Sequence, residues 1–338
     1  MIKLKDLVVG QDDKVAEKIV EKFIRESEIL EMLPFDDTVS PSGKGSTMVY
    51  SYVQEKLPSM AAFRAIGEEY KSNEGTLEDK NVKLKIFGGS FTIDRVIKSI
   101  EGKLENMERQ INLKTVAAVQ LFHDKMINGD IAKDEKEFDG LDKMLVGTEN
   151  EMNTDGSIDL STTEKLKENA MAFYEMLTNL IDSSNADAIM CNKDMKTKIQ
   201  TVAMVLGYKT ESEEAFGRKI TKIGNTRIID LKNKYEVTGE GDDAVATKIP
   251  IIPSNISRTF GEGASAKTVN GLTDIYAVHF DEDEGFTGCS VRGDKVISKY
   301  LPDFSTPGAV KTGEVEMVAA VCLKNTQNAG VLRNIKIN

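Results

Sequence analysis

The stretch "NVKLKIFGGSFTIDR", Asn81 to Arg95, decides how this chain is read. Val82, Leu84 and Ile86 alternate with polar residues as in a half-buried β-strand, and the double glycine at 88 and 89 then reads as a break into a helix-like pattern. A strand needs a partner. The upstream candidate is "TMVYSYV", Thr47 to Val53; between the two lies "QEKLPSMAAFRAIGEEYKSNEGTLEDK", a mostly charged excursion without sustained core periodicity. The pair therefore reads as a ribbon that leaves the body on a long arm.

An isolated two-stranded ribbon is marginal in water, because most of its side chains stay wet while ordering the backbone costs roughly 1–2 kcal/mol per residue. The economical source of its missing contacts is a neighbouring copy of the same chain. Tyr50, Tyr52, Phe63, Arg64, Tyr70, Leu84 and Ile86 are the expected inter-subunit contacts, and the extended segment "PFDDTVSPSGKGS" is expected to lie across a neighbour as well.

Composition sets the outer limits. A chain of 338 residues, 40% hydrophobic, has material for a sizeable core. No run approaches the roughly 20 apolar residues of a membrane span, and the charged N-terminus lacks a signal-peptide pattern, so synthesis in the cytoplasm and no membrane partner are expected. Net charge is −11, with 55 acidic against 44 basic residues, which disfavours phosphate binding as the main task. Cys191, Cys289 and Cys322 are scattered and read as buried free thiols. Two histidines, His123 and His279, are thin material for acid–base chemistry.

Around the ribbon the pattern is mixed. Residues 13–33 place Val15, Ile19, Phe23 and Ile24 on one helical stripe. From about Ile97 to Asn128 the positions Ile100, Leu104, Met107, Ile111, Ala118, Leu121 and Phe122 recur at spacings of three and four, with Gly129 at the expected stop. A second helix starts near Thr162, capped by "STTEK", and carries Leu166, Ala170, Phe173, Leu177 and Ile181. A strand "DAIMCN", a helix from Lys193 to Val205, strands at "TRIIDL" and "TKIPIIP", and a closing set of antiparallel strands follow. Methionines such as Met107, Met126, Met171 and Met176 read as core filler.

Four motifs invite a chemical reading and do not sustain one. "GEGASAKT", Gly261 to Thr268, has Ala266 where a phosphate loop needs glycine, and reads as a surface loop. "HFDEDEG", His279 to Gly285, lacks the ligand spacing of a calcium loop and reads as an acidic turn. Arg292 to Asp294, "RGD", reads as a hairpin turn. His123 has no nucleophile motif to serve and reads as packed or solvent-facing.

The order of an N-terminal arm, a long hairpin loop, the junction "FGGSFTIDRVI", a long helix, the turn "FDGLDKML", a helix running into "ADAIMCNKDMKTKI" and closing strands resembles the major capsid protein of tailed double-stranded DNA bacteriophages, the capsid fold shared with herpesviruses and encapsulins. The resemblance spans the whole chain in order and rests on element order and short phrases. It implies an α+β fold in four parts: an N-terminal arm at 1–44, an extended loop at 45–90, a peripheral domain at 91–160 with 272–338 that includes a spine helix, and an axial domain at 161–271. It also implies a structural role without catalysis, cofactor or metal: hexamers and pentamers of the chain forming an icosahedral virion shell around DNA held without sequence-specific contacts. A portal and, optionally, a decoration protein would be further partners.

Some members carry an N-terminal scaffolding segment removed by a protease; here the arm-like helix starts near residue 1, so a separate scaffolding protein is expected. Others join subunits by Lys–Asn bonds. Lys56 or Lys71 and Asn325 or Asn328 are the right residue types, but nothing in their spacing supports the chemistry, so no cross-link is expected. The nearest alternative is an encapsulin-type nanocompartment shell protein, which needs a pocket for a cargo peptide that the sequence does not reveal. From another class comes a cation-dependent hydrolase using Asp281, Glu282, Asp283 and Glu284.

Overall fold

The structure, a computed structural model, describes residues 27–38, 47–57, 59–70, 72, 74–95, 103–208, 211–215, 218–239, 244–261, 263, 266–291 and 297–338. The stripe at Val15, Ile19, Phe23 and Ile24, the start of the long helix at Ile97 and Ile100, the side chains of Leu104 and Met107, and the Arg292–Asp294 tripeptide lie outside the described residues.

In chain order, a short helix α1 (Glu28–Met32) leads to β1 (Phe35–Thr38), β2 (Val49–Leu57), β3 (Thr76–Lys83) and β4 (Lys85–Asp94). The long helix α2 (Lys103–Asn128), α3 (Leu141–Met144), β5 (Glu151–Asn153) and α4 (Thr163–Ser183) come next. Then follow β6 (Ala188–Cys191), α5 (Lys193–Val205), β7 (Glu211–Ala215), β8 (Arg218–Ile223), β9 (Thr226–Asp230), β10 (Asn233–Thr238), β11 (Val245–Pro250) and β12 (Ile256–Phe260). The chain closes with β13 (Lys267–Val278), β14 (Phe286–Val291), β15 (Ile297–Tyr300), β16 (Val310–Leu323) and β17 (Ala329–Lys336).

These strands make a five-stranded sheet, an eight-stranded sheet and two separate two-stranded ribbons. In the first sheet the fourteen-residue β16 is the spine: β4 pairs with Val310 to Ala319 along one edge, while β15 pairs with Glu314 to Met317 and β14 with Ala319 to Leu323. The larger sheet runs β5-β17-β13-β6-β9-β8-β7, with β12 also on β13. It joins strands from segments expected to belong to different domains, and the expected boundary at 271 falls inside β13.

The double glycine does not break the strand. β4 runs unbroken from Lys85 to Asp94 and pairs with β16 throughout. A Cβ at Gly88 would lie 2.0 Å from the Val315 carbonyl oxygen, and one at Gly89 would lie 3.0 Å from Lys114 Cδ on α2. The glycines mark a close approach of sheet partner and helix, which is the other thing glycine in a strand can mean. The break comes earlier, at Leu84, where β3 ends and β4 begins. The strand of the opening stretch thus has two partners: β3 pairs with β2, as its pattern suggests, and β4 with β16.

The helices bury the faces their spacing assigns. On α4, capped by Thr162 Oγ1 accepting from Lys165 N, the buried residues are Leu166, Ala170, Phe173, Leu177 and Leu180, whereas Ile181, expected on this stripe, is only partly buried against the cluster. On α2, Ile111, Ala118, Val119, Phe122, Met126 and Ile127 are buried, whereas Leu121 is exposed. Met171 is also exposed, so it is not core filler, while Met126 is.

Two apolar clusters share the larger sheet, because alternate side chains along a strand point to opposite faces. Ile189, Cys191, Ile228, Ile275, Ala277 and Leu332 pack with α4 and α5. Their neighbours Ala188, Met190, Ile229, Tyr276, Val278 and Val331 join the cluster of α1, α2 and the first sheet.

His123 sits in that second cluster, 4% exposed, with Ser27 Oγ 2.6 Å from Nε2; Ser27 also caps α1 by accepting from Leu30 N. Burial, and then the Lys232 charge, push its pKa down to about 3 against a hydrogen bond to the Leu231 backbone. The folded chain therefore holds the ring neutral where the unfolded chain takes up a proton. Stability is complete above the unfolded value near 6.5 and is lost as pH falls from there toward 3, by about 1.4 kcal/mol per pH unit. Denaturant unfolding measured at pH 7 and pH 5 should show this slope, and His123→Asn should flatten it; an identical slope in the variant would refute the assignment.

Candidate functional site

The first ribbon, β2 with β3, is antiparallel from Val49↔Lys83 to Leu57↔Thr76. Its two faces differ. Tyr50, Tyr52 and Val82 point to the body and pack on the cluster of α1, α2 and the first sheet. Val49, Val53 and Leu77, on the other face, are exposed.

The root is clamped by charge and hydrogen bonds. Tyr50 donates from its hydroxyl to Asp36 Oδ2; Lys324 Nζ lies 3.2 Å from the same oxygen and 5.3 Å from the centre of the Tyr50 ring. Gln54 Nε2 donates to the Leu323 carbonyl at 3.0 Å. Burial and the bond to Asp36 hold the Tyr50 hydroxyl far above the usual phenol range. The sequence could not show this clamp, since Asp36, Tyr50 and Lys324 are brought together only by the fold. Tyr50→Phe, which deletes one charge-assisted bond, is expected to lower unfolding free energy by about 1.5 kcal/mol; an unchanged denaturation midpoint would count against it.

Beyond the root the ribbon is wet. Residues 59–70 are all exposed, with Phe63 at 108% and Ile66 at 104%. The tip is nevertheless shaped. Arg64 lies 5.3 Å over the Tyr70 ring and donates to the Glu68 carbonyl at 3.2 Å, and Glu68 Oε2 accepts from Ala65 N at 3.3 Å.

The seven expected contact residues therefore separate. Phe63, Arg64 and Tyr70 are exposed at the tip, and Ile86 is 62% exposed on the body strand β4. Tyr50 at 8% and Leu84 at 3% are buried in the chain's own core, and Tyr52 is half-buried against it, so these three are occupied within the subunit as it stands. The segment expected to cross a neighbour is corrected in part: Phe35 to Thr38 pair in parallel with the chain's own β14, and Phe35 packs against Gly288.

Ile86 edges a cleft of about 350 Å³ between β4, α2 and residues 134–138. Phe87, Phe122 and Phe138 line it, with ring centres 5.9 and 6.1 Å apart, and Lys85, Lys125 and Lys136 stand at its sides. A second ribbon pairs the strand expected around 247, β11, with β10, which the sequence pattern does not mark. Lys234 ties its base to the buried Asp124 of α2 at 3.2 Å, and Tyr235, Val237 and Val245 are exposed.

The tempting motifs are structural here. Lys267 and Thr268 open strand β13 rather than a helix, so the geometry of a phosphate loop is missing. In the acidic turn, Asp281 Oδ1 accepts from Asp283 N and Glu284 N, which holds its carboxyl below the usual range, and Lys324 Nζ donates to the Glu282 carbonyl. Among the described residues no group of three or more His, Cys, Asp or Glu is placed to hold a metal ion. Asn328 is buried and donates to the Glu284 carbonyl.

No protein-family model and no curated protein sequence matches the chain. Solved structures do. An encapsulin of Synechococcus elongatus PCC 7942 superposes with a TM-score of 0.58 at 11% identity, over 91% of this chain and 87% of that one. The capsid of a native GTA particle gives 0.53 at 8% identity, over 96% and 92%. A chain of Mycobacterium phage Bobi gives 0.52 at 9% identity, over 91% and 90%. The chain has the α+β fold of tailed-phage capsid and encapsulin shell proteins.

Proposed function

We propose that this chain is the major capsid protein of a tailed double-stranded DNA bacteriophage, assembling as hexamers and pentamers into an icosahedral shell. The observation that carries the reading is the first ribbon: a clamped root and a shaped, fully wet apolar tip, on a body whose two cores are already closed. Fully exposed Phe63 and Ile66 gain nothing for a solitary molecule and gain their burial when a second copy covers them. Shell formation in the host cytoplasm, a separate scaffolding protein, a portal and a decoration protein belong to the same proposal. The net charge of −11 suits a container filled with DNA it need not grip.

A nanocompartment is the second reading, favoured by the likeness to an encapsulin and by the cleft beside Ile86, whose aromatic floor suits an apolar peptide. Electron microscopy of the protein expressed alone and with a scaffold encoded beside it tests both. The phage reading expects closed shells that package DNA with portal and terminase present; shells that instead retain a tagged cargo protein would favour the compartment, and persistent monomers would overturn both.

A further inference from the structure

Cys289 on β14 and Cys322 on β16 lie beneath the ribbon root. In the ladder Cys289 faces Ala320 and Cys322 faces Thr287, so the two thiols are diagonal neighbours on one face of the sheet. Their sulfurs are 3.3 Å apart and both residues are fully buried. The stacked rings of Tyr50 and Tyr52 pack on the cluster that holds both thiols; Tyr50 bonds Asp36, the register partner of Cys289, and Gln54 bonds Leu323 beside Cys322. Cys191 belongs to the other cluster, on the far side of the larger sheet.

We propose that Cys289 and Cys322 are a latent disulfide site, closed by exchange with a small-molecule disulfide when the ribbon root lifts, that staples β14 to β16 under the ribbon. Closure shortens the sulfur separation from 3.3 Å to about 2.05 Å, and because diagonal neighbours of adjacent strands typically stand about 7–8 Å apart, it takes a local backbone shift of β14 against β16 as well as side-chain rotation. The chemistry balances. One thiol loses its proton and attacks the small disulfide, forming a mixed disulfide and releasing one small thiol. The second protein thiol, also deprotonated, then attacks the protein sulfur of that adduct and releases the other small thiol. Two protein thiols are oxidised by two electrons, the small disulfide is reduced to two thiols, and the two protons pass to them.

The root is the gate. Burial pushes the Cys289 thiol well above its ordinary range, so thiolate is scarce while the tyrosines are seated, and a mixed disulfide has no room beneath them. A cytoplasm keeps such a pair reduced, and an extracellular medium oxidises it. That contrast rests on the capsid reading; the chemistry does not, because it is a property of one subunit.

The test uses the folded full-length protein and oxidised glutathione, followed by alkylation of remaining thiols, intact mass and peptide mapping. The expected product has lost two hydrogens, links the Cys289 and Cys322 peptides, and retains a free Cys191. Tyr52→Ala should speed the reaction about tenfold by loosening the cover; Val82→Ala does the same should the first variant fold poorly, and Cys322→Ser should stop it short of any internal link. Three free thiols persisting in both loosened variants, under conditions that oxidise the unfolded chain, would overturn the proposal, as would a link to Cys191. Failure to form shells would leave this result untouched.

Discussion

Replacing Phe63 and Ile66 together with aspartate is expected to leave the subunit folded and to abolish its assembly. Both side chains are fully exposed in the solitary chain, and surface changes of this kind usually move folding stability by no more than about 0.5 kcal/mol. In a shell the same positions recur in every subunit. Covering each apolar side chain is worth about 1.5–3 kcal/mol, and the double variant forfeits that gain and adds two charges that must be desolvated. Because a shell sums many weak contacts, a loss of this size per subunit should raise the concentration needed for assembly by about a hundredfold or more. Sedimentation of wild type and variant at matched concentrations, beside their melting temperatures, is the measurement. Normal shells from the double variant would remove the ribbon tip from the interface. Arg64→Ala, which frees Tyr70 and the tip turn without adding charge, should weaken assembly less.

The largest effect on folding should come from Arg333→Ala. This guanidinium on β17 bonds Glu151 Oε1 on β5 and both Oδ1 and the carbonyl of Asp142 on α3, and it lies 3.6 Å from the buried Asp274 on β13. Tyr276 donates to Asp142 at 2.9 Å, and Arg258 holds Asp274 from its other side. Removing the central cation leaves Asp142, whose side chain is about half exposed, and the less exposed Glu151 without it; solvent screens part of the cost of breaking a buried pair, about 3–5 kcal/mol, so the expected loss is about 2–3 kcal/mol. Chemical denaturation should show that loss. Arg333→Lys keeps the charge but cannot span Glu151 and Asp142 together, so it should fall between wild type and alanine. A loss under about 1 kcal/mol for the alanine variant would mean that water replaces the guanidinium freely.

The sequence was most informative where structure is local. Thr162 and Asn192 cap the helices expected after them, and the spacing of Leu166, Ala170, Phe173 and Leu177 matches the face that α4 buries. The ribbon itself was legible from Val49 to Val53 and from Asn81 to Lys83, because alternation and turn-rich flanks are short-range signals. The misreadings have a common cause in tertiary packing. The double glycine looks like a break until β16 and Lys114 are placed beside it. Leu121 and Met171 keep a core spacing, yet neighbouring elements do not cover them. Tyr50 and Leu84 alternate like contact residues, and the Asp36–Lys324 clamp, joined across most of the chain length, draws the first of them inward. The second ribbon is not legible because β10 and β11 lack the strong apolar alternation that marks a strand pair.

The larger sheet, clad on both faces, has a consequence for how the subunit yields. Consecutive residues such as Ile189 and Met190, or Tyr276 and Ala277, belong to opposite cores, so neither core can come apart without dragging on the strands that wall the other. The sheet acts as a diaphragm: force applied at the α4–α5 side reaches the long helix through a plate that bends little. A shell of such subunits would deform at its ribbons and joints while each plate stays rigid.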